Sequence, residues 1–223
     1  MWLQRILRPL FRGLMAVLLD YRIEGLDHVP GEGPVLVAIN HSNFWDAVLP
    51  TVVLPRYVVG MAKIELFRTP VLGQLLRLYG ACPVRRGQVD RQALTATLTA
   101  LGRGEVVSMA PEGTRGKDHR LQKGRPGLAF LAAKSGAPVL PFAVSGSERF
   151  WGRVTRLRRT RVKISIGPPF RLLWEGDKIP RSVLREMTDE AMFRIAALLP
   201  EEYRGRYSDL ETASTNYLSF DRA

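Results

Sequence analysis

Short β-branched runs alternate with helix-patterned stretches through most of this chain, and that alternation restricts the fold more than any other feature. The apolar runs are Val35–Ile39, Tyr57–Met61, Glu105–Ala110 and Val139–Val144. Among them lie Ala47–Val53, Val71–Tyr79, Arg91–Leu101 and Pro126–Lys134, where apolar residues recur at helical spacing. Parallel strands need a crossover between them, so strand–helix alternation builds a largely parallel sheet. A β-rich piece, Val162-Lys-Ile-Ser-Ile-Gly, and a helix from about Arg181 to Leu199 follow. The expected architecture is a single α/β domain, a largely parallel mixed sheet flanked by helices. No repeat or linker divides the chain, and 223 residues at 46% hydrophobic suffice for one sizeable core. The domain is expected over residues 20–200, with a distinct segment at 1–19 and a polar, loosely held tail at 201–223.

The chain as a whole has a strongly basic balance. Lys+Arg 33 against Asp+Glu 21 gives +12, which favours polyanionic partners. Of the 33 basic residues 27 are arginine, whose planar fork suits phosphate, although a codon bias toward arginine accounts for the excess equally well. The densest run is Arg149–Lys163, with seven basic residues and no acid. Such a run can bind a nucleic-acid backbone. Aromatic interleaving ends at Phe150 and Trp151, however, and no nucleic-acid module matches, so nucleic acid is not the expected partner. An anionic membrane surface explains the run as well. The single cysteine, Cys82, excludes an internal disulfide and any multi-cysteine zinc site. His28, His41 and His119 lack ligand spacing, so no metal is expected; His28 and His119 read as solvated loop residues.

The first nineteen residues read as one helix, with Pro9 its only interruption. At 100° per residue, Arg5, Arg8 and Arg12 fall within about 60° of one another, opposite Trp2, Leu3, Ile6, Leu7, Leu10 and Leu14. A basic face against a Trp/Leu face is the pattern of an amphipathic helix lying in a membrane interface. The uncharged stretch from Gly13 to Leu19 is too short to span a bilayer. The competing reading packs the helix on its own domain with arginines outward.

Chemistry concentrates after the strand-like runs. Asn40-His41-Ser-Asn-Phe-Trp-Asp46 directly follows Val35–Ile39, putting an imidazole at the carboxyl edge of the sheet, where α/β proteins build sites. In one continuous helix Asp46 would lie about 140° around from His41. The two can meet only if the chain turns between them, and Asn43 as a helix N-cap would supply that turn. Asp46 would then orient the imidazole for general-base work. Alternatively Asn43-x-x-Asp46 is a capping box and nothing more. Ala110-Pro-Glu112-Gly113-Thr114-Arg115-Gly116 follows the next central run; its glycines admit backbone N–H groups to an anion and its arginine adds a fork. Gly80-Ala-Cys-Pro-Val-Arg85-Arg86 delivers adjacent arginines from a short strand. Lys63-Ile-Glu-Leu, Lys123-Gly-Arg and Ala137-Pro-Val-Leu-Pro141 are weaker signals singly.

In this order the motifs resemble the glycerolipid acyltransferases, specifically the bacterial 1-acyl-sn-glycerol-3-phosphate acyltransferases. The likeness covers roughly Tyr21 to Phe170, and the closing Tyr203-Arg-Gly-Arg-Tyr207 is similar too. The resemblance implies a fold like that of the glycerol-3-phosphate acyltransferases, His41 as catalytic base and Asp46 as its orienting carboxylate. It implies acceptor binding by Lys63, Arg86, Glu112, Gly113, Thr114 and Arg115, and an acyl-donor side marked by Pro141. Pro83-Val84-Arg85-Arg86 departs from the family's usual Phe-Ile-Asp-Arg, and Gly116 stands where serine is common, leaving another lysophospholipid or lyso-lipid as the alternative acceptor. A non-enzymatic binder of anionic lipid is a more distant alternative, against which the intact His41 and Asp46 speak. The reaction would need no cofactor beyond an acyl-CoA or acyl carrier protein thioester, with acyl carrier protein a further partner where it is the donor. Cys82, the one candidate for a covalent acyl intermediate, has no histidine near it in sequence. The location expected is peripheral, on the cytoplasmic face of the cell membrane.

Overall fold

The computed structural model describes residues 2–85, 90–114, 116, 118–176 and 178–220, without the side chains of residues 2–5 and Phe44. Among the described residues one seven-stranded sheet organises the chain. Its strands are β1 (Leu19–Glu24), β2 (Val35–Ile39), β3 (Val58–Lys63), β4 (Cys82–Val84), β5 (Val106–Met109), β6 (Val139–Ser145) and β7 (Thr160–Ile166), in spatial order β1-β7-β6-β2-β5-β3-β4. Every neighbouring pair is parallel except β6 with β7. The expected mixed, largely parallel α/β sheet is therefore what the chain forms.

β2 sits at the centre, and all five of its residues are buried, as a parallel strand covered on both faces requires. Its pleat sorts them. Leu36 and Ala38 face a layer built on the helices α4 (Arg91–Gly102), α5 (Gly127–Ser135) and α7 (Arg181–Ala196); Val35, Val37 and Ile39 face the layer holding Met15, Leu49, Val52 and Phe150. The second layer belongs to α1 (Trp2–Leu18), the short α2 (Leu49–Val53) and α6 (Phe150–Val154). The intervening α3 (Pro70–Tyr79) starts with Pro70 and stops at Gly80, whose φ of 83° forms the left-handed cap that glycine tolerates.

The terminal helix runs unbroken through Pro9, and it packs on the domain by its arginine side, the reverse of the arginines-outward packing of the competing reading. The Arg8 guanidinium Nη1 donates to the Pro55 carbonyl and lies 5.9 Å over the Tyr57 ring, and Arg12 Nε donates to the Val52 carbonyl at 2.7 Å. These arginines satisfy carbonyls at and just beyond the end of α2, which the helix itself leaves without partners. Met15 is fully buried beside them. The outward stripe is apolar instead: Ile6 is 58%, Leu10 67% and Val17 70% exposed. On the neighbouring α3, Val71, Leu72, Leu75 and Leu78 are likewise exposed. Trp2, Leu3 and Arg5 have side chains outside the described set.

Several cations of the basic run are also engaged within the domain. Arg159 donates to the Ala16 and Leu19 carbonyls, closing the C-terminus of α1; Arg161 pairs with Asp20 and Lys163 with Glu24.

Residues 201–220 are not loose. Tyr207 is 2% exposed, and the buried Glu190 carboxylate accepts from Ser214 Oγ and the Asn216 and Tyr217 amides. β8 (Arg171–Leu172) pairs with β9 (Leu218–Ser219) nearby. The segment is polar and mostly exposed, as a free tail would be, but it is pinned at Tyr207 and at Glu190.

Candidate active site

The loops that leave the carboxyl ends of β2, β5 and β6 converge at the middle of the sheet, because β5 and β6 flank β2. Asn40 closes β2 by donating from Nδ2 to the Val144 carbonyl and accepting the Val144 amide, at 2.9 and 2.7 Å. His41 follows, 5% exposed. Its amide donates to Glu112 Oε1 at 2.9 Å, and its carbonyl accepts the Gly116 amide at 3.3 Å. The histidine backbone is thus held at both ends by the loop after β5.

Asp46 lies in a short 3₁₀ turn, Phe44–Ala47, and is completely buried. Its Oδ2 accepts the Ser42 and Asn43 amides at 2.7 and 2.5 Å. The return contact of a capping box is therefore real. The Asn43 side chain also reaches outward, Nδ2 donating to the Ser147 carbonyl at 2.6 Å in the loop after β6. The second oxygen, Oδ1, is buried with no hydrogen-bond partner among the described residues. One oxygen closes the turn and the other is left as an acceptor. Burial pushes this carboxyl up to about 6 against the pull of the nearby Ser147 hydroxyl and the two amides, and the neighbouring Glu148 carboxylate pushes it further.

Glu112 is 2% exposed and its two oxygens are both occupied: Oε1 by His41, Oε2 by the Gln122 amide at 2.8 Å. Burial raises its carboxyl to about 7, opposed by those amides and reinforced by Asp46 and Asp118. Gly113 turns at φ 66°, and a Cβ there would meet Arg125 Cδ at 2.8 Å, so only glycine fits. Thr114 is exposed. Arg86 and Arg115 lie outside the described residues. Lys63 ends β3, beyond β5 from the histidine loop, and pairs with Glu65 at 3.5 Å on the surface. Pro141 is buried inside β6, opposite Ala38, and its carbonyl accepts the Gly167 amide. The structure thus gathers His41, Asp46, Glu112 and Gly113; Lys63 lies at the same carboxyl edge on β3, two strands from β2, and Pro141 lies within β6.

Three participants escaped the sequence reading. Glu148, whose carboxylate stands near Asp46, was hidden at the border of the basic run. Asn40 had no signal beyond ending an apolar run. His119 is exposed, as expected, and also touches the site loop: its carbonyl accepts Ser42 Oγ, and its Nδ1 lies 3.4 Å from the Ser42 carbonyl. Cys82 is buried, and burial together with Asp90 raises its thiol, the opposite of what an acyl-accepting thiolate needs.

A titration follows from Glu112. Its carboxyl holds a proton more tightly folded than unfolded, so between about pH 4.5 and about 7 the native chain binds more protons and stability falls as pH rises. Glu112 contributes on the order of 3 kcal/mol to that slope. Unfolding followed by circular dichroism should show Tm declining across this window, and Glu112→Gln should flatten the decline. An equally steep decline in the variant would remove Glu112 from the account.

The model of the acyltransferase family matches residues 20–145. A chloroplastic 1-acyl-sn-glycerol-3-phosphate acyltransferase of Brassica napus is 32% identical over 132 residues, 57% of this chain and 38% of its own length. A 1-acyl-sn-glycerol-3-phosphate acyltransferase of Bacillus subtilis is 29% identical over 154 residues, covering 66% and 72%. The chain spans about two-fifths of the length of the chloroplastic relatives, 38% and 42%. The crystal structure of the 1-acyl-sn-glycerophosphate acyltransferase of Thermotoga maritima superposes with a TM-score of 0.63 at 20% identity, over 95% of this chain and 82% of that one, a likeness of fold.

Proposed function

The chain belongs to the acyltransferase family, and on that premise we propose that it transfers a fatty acyl group from a thioester to the free hydroxyl of 1-acyl-sn-glycerol-3-phosphate, giving phosphatidic acid. The observation that carries this reading is the convergence of the His41 loop, the buried Asp46 and the Glu112–Gly113 turn at the carboxyl edge of the sheet. A glycerol hydroxyl is far too weak an acid to ionise at neutral pH. The His41 imidazole takes its proton as the oxygen attacks the thioester carbonyl carbon. The tetrahedral adduct then collapses, the C–S bond breaks, and the proton held on the imidazole passes to the departing thiolate. Every atom is accounted for without a cofactor. Asp46 Oδ1 accepts from the imidazole and fixes which ring nitrogen faces the hydroxyl.

Arg86 and Arg115 hold the acceptor phosphate in this reading, on the strength of their motifs and of the fork geometry that arginine offers. Fixing the hydroxyl beside the base turns an encounter between molecules into an oriented step. Arg86→Lys or Arg115→Lys should therefore raise acceptor KM about tenfold, charge retained but one charge-assisted bond lost. Donor KM should stay within twofold. The test is a panel of lyso-lipid acceptors given to the purified chain with labelled acyl-CoA. Preference for the phosphate-bearing acceptor supports the proposal, whereas equal use of dephosphorylated monoacylglycerol would sink it.

No helix among the described residues is long and apolar enough to cross a membrane. We place the chain peripherally on the cytoplasmic membrane face, where a bilayer-resident lyso-lipid and a thioester donor meet. The exposed apolar stripes of α1 and α3 support this attachment, with the outward cations of residues 149–158 as anionic-lipid contacts.

A further inference from the structure

The motif at residues 203–207 lies beyond the matched family region, yet it reaches the site along two routes. Tyr203, in the short helix α8 (Glu201–Arg204), accepts the Leu121 amide on its carbonyl at 2.9 Å. The Arg206 amide donates back to the Leu121 carbonyl at 3.3 Å. Gly205, at φ 51°, has no room for a Cβ, which would fall 2.5 Å from that same carbonyl oxygen. The adjoining Gln122 amide binds Glu112 Oε2, whose partner oxygen holds the His41 amide. So the first route runs from the C-terminal segment through one loop to the histidine backbone.

The second route uses the Tyr203 side chain. Its hydroxyl donates to Glu148 Oε1 at 2.9 Å. Glu148 follows Ser147, whose carbonyl accepts Asn43 Nδ2, and Asn43 in turn donates its amide to Asp46. Tyr203 therefore links, through one residue, the loops after β5 and β6, which hold the His41–Asp46 loop from two sides. Tyr207 makes no such link: its hydroxyl accepts the Gly124 amide at 3.1 Å and donates to Asp189 Oδ1 at 2.7 Å, anchoring the segment to α7.

We propose that Tyr203 is a positioning residue for the reaction, holding Glu148 and the Leu121 loop so that Asp46 and His41 keep their mutual geometry. The proposal rests on the reading of His41 and Asp46 as the catalytic pair. A misplacement of tenths of an ångström at a base lowers turnover without changing substrate affinity. Removing the hydroxyl alone should therefore affect kcat and spare both KM values.

The experiment compares the purified full chain with Tyr203→Phe, Glu148→Ala, the double variant and Tyr207→Phe, measuring kcat, both KM values and Tm. Tyr203→Phe should lower kcat about tenfold with KM values within twofold and only a small loss of Tm. Glu148→Ala reads the same contact from the other side, and the double variant should be no slower than Glu148→Ala within twofold, the non-additivity of a shared contact. Tyr207→Phe leaves Gly124 and Asp189 without their partner, so it should cost more Tm and less kcat. If kcat tracks Tm across the two tyrosine variants, or if the Tyr203 and Glu148 losses add independently, the inference is overturned. Wild-type kcat in Tyr203→Phe beside a dead His41→Ala would remove this inference alone. An active His41→Ala would remove the reading beneath it.

Discussion

His41→Ala should abolish acyl transfer, by about 10²–10⁴-fold or to background, while the fold persists. The structural grounds are specific. The His41 amide and carbonyl carry the contacts to Glu112 and Gly116, and alanine keeps both. What is lost is the buried imidazole, whose removal leaves a cavity but breaks neither backbone bond. Circular dichroism should thus show a Tm within a few degrees of wild type beside an inactive enzyme. Asp46→Asn is milder, with a loss of about 10²-fold, because an amide oxygen can still accept at the Oδ2 position. Its NH₂ would stand at Oδ1, however, presenting a donor where the imidazole N–H needs an acceptor. Appreciable transfer by His41→Ala would end the general-base assignment.

The second large effect is on location. Ile6, Leu10 and Val17 together present an exposed apolar stripe along α1, and placing such side chains in lipid is worth about 1.5–3 kcal/mol each. Replacing all three with aspartate removes about 5 kcal/mol, more than 10³-fold in partitioning. The triple variant should appear in the supernatant of vesicle sedimentation, at low and high salt alike, since apolar insertion is not screened. Charge reversal at Arg8 and Arg12 should behave differently: it breaks the contacts to Pro55 and Val52 and lowers Tm. Full sedimentation of the triple variant would show that α1 is not what meets the membrane.

How far the chain could be read without coordinates depended on whether the information was local. The run Val35–Ile39 announced a strand, whose central place only the structure shows, and its neighbours in sequence supplied the histidine at its edge. Asp46 was legible because any turn between it and His41 brings the two together; the structure makes that turn with the Asp46 carboxylate itself. Glu112 was named through its motif as an acceptor residue, but its bond to the His41 amide, 71 residues away, was not legible because nothing local signals it. Tyr203 to Glu148 is the same kind of contact, 55 residues apart. For α1, amphipathicity identifies two faces without saying which one docks. Arginines face the domain here because α2 offers carbonyls in need of donors.

The central claim is direct acyl transfer between two substrates, and one measurement addresses it most closely. Purified chain is given labelled acyl-CoA with and without 1-acyl-sn-glycerol-3-phosphate, and released thiol is counted against labelled phosphatidic acid. The account expects equal amounts of thiol and phosphatidic acid, both only when the acceptor is present, and no label on the protein. Thiol release without acceptor, or label retained on the chain at Cys82, would contradict it.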